Sequence, residues 1–131
     1  MHLVNVPPHQ LFQGLADPIR IRVLRLLAVA REEACLCELV DSLQEPQYTL
    51  SRHLKVLRQT GLLSTEKDGR WIYHRLVMTP YLKLIYETIR TLPDVHGTFA
   101  RDLARFKKRM RLRKDGRCRT GIRGPMRTVA A

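Results

Sequence analysis

Apolar residues recur along the chain at a helical spacing, give way once to strict alternation, and then return to the helical spacing. Leu11, Phe12 and Leu15 predict a short helix over 8–15. Asp17-Pro18 is a strong start signal, an N-cap carboxylate followed by proline at the first helical position. The helix it opens runs to about residue 29, with Ile19, Val23, Leu24, Leu26 and Leu27 on a wide apolar stripe and Arg20, Arg22 and Arg25 on other faces. A short extended stretch over 32–35 leads to a helix over 37–43 carrying Leu39 and Leu43, which Pro46 separates from the next. That next helix, 49–60, turns Leu50, Leu54 and Leu57 inward and Ser51, Arg52, Lys55, Arg58 and Gln59 outward. Gly61 suits a left-handed residue at its end. The alternating stretch follows, two strands over 62–67 and 70–76 with Asp68-Gly69 as the hairpin turn. Leu82, Ile85, Ile89 and Leu92 then mark a helix over 81–92, and Phe99, Leu103 and Phe106 another reaching toward 113. From 114 onward periodicity is lost, and that stretch is expected to be disordered on its own.

Two short helices joined by a tight turn and followed by a hairpin make a winged helix-turn-helix. The expected fold is therefore mainly α with a small β-hairpin wing, an α+β arrangement, and dimeric. The apolar face of the 81–92 helix is too long for a free surface, and a chain of 131 residues gains core by pairing, so a homodimer is expected. Residues 1–93 form the DNA-binding and dimerisation domain, 94–113 a basic C-terminal helix, and 114–131 a basic tail.

Charge sharpens this picture. The net charge is +12, and residues 101–131 alone hold 12 Lys/Arg against 2 Asp/Glu. Such an excess calls for a polyanion, nucleic acid before an anionic membrane. No apolar run is long enough to cross a membrane, and residues 1–10 lack the pattern of a secretory signal. The three cysteines are odd in number and two are close neighbours, which fits reduced thiols in the cytoplasm. No Ser/His/Asp set, phosphate-cradling glycine loop or carboxylate pair supports catalysis, so no enzyme is expected.

The second helix of the pair is the candidate reader of double-stranded DNA. Ser51 and Arg52 face outward in its N-terminal half, where base edges are reached, and an arginine can bond guanine through two donors. Gln47 or Thr49 adds base or phosphate contacts, while Lys55 and Arg58 meet phosphates. Lys67 and Arg70 flank the wing turn and follow a phosphate or the minor groove. His53 reads as a partly buried group bonded within the domain. Trp71 and Tyr73 read as structural aromatics, and the basic segment 101–127 as a source of salt-sensitive attraction to phosphate.

The residues 10–20, QLFQGLADPIR, resemble the opening of the arsenical-resistance repressor (ArsR/SmtB) family. Residues 50–57, LSRHLKVL, are similar to its recognition helix, and Gly61-Leu62-Leu63 with residues 69–76, GRWIYHRL, to its wing. The resemblance covers roughly 10–78. It implies a homodimer that represses its operator until an inducer binds. The family's arsenite sensors carry Cys-x-Cys-x-x-Cys before the recognition helix; here Cys35 and Cys37 match the first two and Val40 replaces the third.

The resemblance thus implies As(III) or Sb(III) as inducer, bound by thiolates. Soft ligands select soft centres. Residues two apart on a regular helix point about 200° apart, so Cys35 and Cys37 are expected to share one ion only if the helix start gives way. That distortion is the expected switch. The third ligand is open: Cys118, from the same or the other subunit, or a small thiol such as glutathione. Lying between Arg117 and Arg119, Cys118 is expected to be reactive where exposed, and a stray cysteine in a flexible tail is the competing reading. Buried apolar packing is the competing reading of Cys35 and Cys37. Cadmium or an oxidant acting on the same thiols, and an architectural DNA-binding protein without an inducer, are the rival functions.

Overall fold

The computed structural model describes residues 6–123; the expectations for 1–5 and 124–131, the start read for a leader and the end of the basic segment, lie outside the described residues. Asp17 does cap its helix: its carboxylate accepts from the amides of Ile19 and Arg20 at 2.8 and 3.1 Å. In chain order the elements are α1 (Pro8–Leu15), α2 (Pro18–Ala30), β1 (Ala34–Cys35), α3 (Leu36–Leu43), α4 (Gln47–Gln59), β2 (Leu63–Asp68), β3 (Trp71–Leu76), α5 (Pro80–Thr91) and α6 (Thr98–Met110). This is a winged helix-turn-helix: α3 and α4 form the pair, and β2 with β3 the wing.

The strand order is β1-β3-β2, all antiparallel, so the extended stretch before α3 is a third strand on the wing. Cys35 pairs with Tyr73. The hairpin turn lies one residue later than expected. Asp68 pairs with Trp71, leaving Gly69-Arg70 as the loop. Only Gly69 there has positive φ, +62°, which a two-residue hairpin accepts at its first central position when glycine stands there. The helix α4 likewise starts earlier than periodicity suggested, at Gln47, because Pro46 caps it from extended backbone.

The core lies where α2, α3, α4 and α5 meet. Leu24, Leu27, Leu39, Leu43, Leu50, Leu54, Leu57 and Leu62 are fully buried there, and Phe106 of α6 joins from the other side of α3. Removing such a leucine to alanine costs ~2–5 kcal/mol, so this cluster carries most of the fold.

One expectation fails in a useful way. Residues 114–123 fold back over the domain: Lys114 and Arg117 form a small bridge, and Cys118 has no solvent exposure. What holds them is charge. Arg105, Arg109, Arg113 and Arg117 stand four apart; the last three meet acids of the preceding domain, while Arg105 meets an acid of its own helix and a carbonyl of that domain. Arg105 bonds Asp102 and the Ser42 carbonyl; Arg109 bonds Asp41 at 2.6 Å. Arg113 clasps Glu38 through two bonds of 2.8 Å, and Arg117 reaches Asp68 at 2.8 Å and Glu33 at 2.9 Å. These four cations are engaged inside the molecule, which removes them from the phosphate-attracting set expected over 101–127.

Candidate thiol centre and nucleic-acid interface

Cys35 ends β1, Cys37 lies in the first turn of α3, and Cys118 comes from the segment after α6. Their sulfurs all lie within 4.8 Å of one another, and those of Cys37 and Cys118 are 3.6 Å apart. The expected incompatibility of Cys35 and Cys37 is overturned. Cys35 has extended backbone, φ −80° and ψ 162°, and stands before the helix, so the helical angle between the two residues does not apply. No unwinding is needed to bring the pair together. The condition on which Cys118 was expected to be reactive, exposure between two arginines, is not met. Cys118 is wholly buried, its amide donating to the Tyr73 hydroxyl at 2.7 Å. The Thr120 carbonyl accepts from both Cys37 and Cys118, at 3.5 and 3.4 Å.

The surroundings favour one thiolate in particular. Hydrogen bonding from Cys35 lowers Cys37 to about 7 against the opposing effect of burial, with help from the Cys118 contact and the charge of Arg109. The same coupling raises Cys35, reinforced by burial and by Glu38; burial raises Cys118. The donor set is sulfur alone, without carboxylate or imidazole, which suits a soft, thiol-seeking centre of three ligands and not a hard oxygen-loving cation. All three thiols are buried, Cys37 least so at 8% exposure against 2% for Cys35.

Several residues that build this site were missed in the sequence. Glu38, fully buried, accepts from the Cys35 amide at 3.1 Å while paired with Arg113, and so fixes the start of α3. Tyr73 lies beneath the Arg117 guanidinium, 3.9 Å from its carbon to the ring centre. Arg109 bonds the Thr120 and Gly121 carbonyls from the far side. The four-residue spacing of the arginines was the available signal; it was read only as net charge.

On the candidate DNA side, Gln47, Ser51, Arg52 and Lys55 are exposed along α4, and Thr49 is half-buried. Tyr48, 74% exposed and under the Arg52 guanidinium, stands with them and was not anticipated. Lys67 and Arg70 are exposed at the wing, Arg70 lying 4.7 Å over Trp71. Arg58 is half-buried instead of free, meeting His74 Nε2 at 3.2 Å. His53 is held as expected, with Nδ1 3.1 Å from Arg20. Between α4 and the wing runs an open groove of about 570 Å³. Gln47, Ser51, Arg58 and Arg70 line it, Cys35 and Cys37 lie along its wall, and Ile122 closes one side. No helix among the described residues is long and apolar enough to cross a membrane.

Comparison with known proteins points the same way. The model of the family described as "Bacterial regulatory protein, arsR family" matches residues 17–65. The chain is 38% identical over 103 residues to the arsenical resistance operon repressor of Escherichia coli, covering 75% of this chain and 86% of that protein. It is 44% identical over 77 residues to an arsenic resistance transcriptional regulator of Pseudomonas putida, with 58% of each covered. With the HTH-type transcriptional repressor SmtB of Mycobacterium tuberculosis it shares 39% over 67 residues, 51% of this chain and 48% of that one.

Proposed function

The chain belongs to the bacterial arsR family of regulatory proteins, and from that premise we propose that it represses its operator as a homodimer and releases it when As(III) or Sb(III) binds Cys35, Cys37 and Cys118. At the coarser level it is a metal-responsive transcriptional repressor with a DNA-binding helix-turn-helix, and not an enzyme. One observation carries the finer reading: three sulfurs converge at the start of the helix that braces α4.

Charge supports a trivalent centre. Three thiolates neutralise a +3 ion, whereas a divalent ion would leave a net negative charge in a buried place. Arg109 does not alter that balance, because Asp41 already pairs with it at 2.6 Å. Cys118 fills the position for which a small thiol would otherwise be needed. Each ligand arrives on a different element, β1, α3 and the segment after α6. Ligation therefore ties the wing strand, the bracing helix and the C-terminal segment into one unit. An inducer that prefers this tied arrangement over the operator-bound one shifts the population away from DNA. The DNA contacts are assigned to Gln47, Thr49, Ser51, Arg52 and Lys55 of α4, to Arg58 at the groove, and to Lys67 and Arg70 of the wing.

The test is fluorescence anisotropy on DNA from upstream of the gene, titrated with arsenite and then antimonite. Wild type should bind and be released near one equivalent of metalloid per protomer. Cys37→Ser and Cys118→Ser should each bind DNA like wild type and ignore the metalloid. Specific binding by wild type that neither metalloid disturbs would discard the inducer. Equal binding to any DNA would favour the architectural reading.

A further inference from the structure

We propose that residues 119–123 are a second DNA-contacting element, docked beside the recognition helix, in which Arg119 and Arg123 bind backbone phosphates. The inference rests on the reading of α4 as the DNA reader.

With Arg105, Arg109, Arg113 and Arg117 accounted for by internal acids, seven basic side chains remain over 101–123, and of these Arg119 and Arg123 flank a residue that lines the groove. Arg119 and Arg123 are exposed, and no carboxylate lies in ion-pair contact with either among the described residues. Among the described residues, Arg119 bonds its neighbour's carbonyl, at 2.9 Å from Cys118 O. Their location gives this charge a direction. Ile122, between them, lines the same groove as Gln47 and Ser51 of α4 and Arg70 of the wing. The backbone of the segment is fixed on both sides. Asp41 accepts from the Arg123 amide at 2.9 Å, and the carbonyls of Thr120 and Gly121 accept from Arg109. The short segment that carries both cations is therefore anchored next to the groove through Ile122, on a backbone already ordered without a polyanion. Ordering entropy is thereby spent in folding and not on binding.

The element has a second property. It follows Cys118 directly, so the third sulfur of the thiol centre and the arginines that meet phosphate ride on one short strap. A change in how the sulfurs are held is delivered to the DNA side within one to five residues.

The experiment measures operator binding by the full chain across a range of salt, comparing wild type, Arg119→Ala/Arg123→Ala and Arg52→Ala. Each phosphate contact contributes about 0.9 to the slope of log K against log salt, or roughly fivefold in affinity near 0.15 M. The arm variant should lower the slope by roughly 2 per protomer and weaken every sequence alike, while binding the same amount of arsenite. Arg52→Ala should instead relax sequence preference. An arm variant with unchanged slope and affinity overturns the proposal while a defect in Arg52→Ala keeps the α4 reading. Unchanged binding in both variants removes the α4 reading as well. A changed slope with altered arsenite stoichiometry also counts against it, because the strap would then act through the thiols alone.

Discussion

His74 stands between two partners that suit only its neutral ring. Its Nδ1 faces the Ala34 carbonyl at 3.4 Å and its Nε2 the Arg58 guanidinium at 3.2 Å, so one nitrogen donates and the other accepts. Burial, with the adjacent Arg58 charge, lowers its pKa from 6.5 to about 4. The unfolded chain therefore takes up a proton that the folded one refuses. Stability is complete above about pH 6.5 and falls as the pH drops toward 4. Urea unfolding at pH 8 and at pH 5 should differ by about 2 kcal/mol from this residue. His74→Gln should flatten that interval; an equal pH slope in the variant would assign the loss elsewhere. The thiols show the same dependence on surroundings at the scale of one side chain. Cys35 and Cys37 are two residues apart yet are shifted in opposite directions, because the hydrogen bond between them favours the Cys37 thiolate, while burial and the Glu38 charge add to the rise of Cys35.

Among the elements, α3 is the one most tightly fixed from outside. Glu38 holds the Cys35 amide and the Arg113 guanidinium at once, with no solvent exposure. Glu38→Gln keeps an acceptor for the amide but leaves the buried Arg113 charge with only the longer contact to the exposed Glu32, at 3.8 Å. The expected cost is about 3 kcal/mol, read as a lower urea midpoint at unchanged m-value. A shift below a tenth of that would show that the pair is solvated in solution. Elements of this kind were only partly legible in the sequence. The caps and breakers Asp17, Pro46 and Gly61 act on their own neighbours, so α2 and α4 could be read to within two residues. The hairpin slipped by one because Asp-Gly and Gly-Arg both supply a glycine for the turn, and only cross-strand pairing of Asp68 with Trp71 decides between them. Cys118 could not be placed at all. Its contact with Cys37 spans 81 residues and depends on four arginines finding their acids, which a sum of charges does not show.

For the whole molecule, the faces left apolar matter most. Phe12 of α1, and Tyr81 and Leu84 of α5, are 60%, 52% and 71% exposed, more than a chain of this charge would leave open to water without use. The proposed homodimer would draw on these side chains for its contact. Leu84→Asp should shift sedimentation from dimer to monomer and weaken operator binding steeply, since two half-sites are then no longer read together. An unaltered dimer would place the twofold axis elsewhere. The order of parts along the chain also has a genetic meaning. The recognition helix and the wing hairpin are complete by residue 76, whereas the third sulfur is encoded 42 codons later. A missense change at codon 118 spares these elements and the strap arginines, and on the proposed function it would leave a protein that still pairs and still recognises its operator. It would no longer hear the inducer. In a cell that also makes the intact chain, mixed pairs would keep one deaf half, so such alleles should emerge from selection as dominant super-repressors at codon 118.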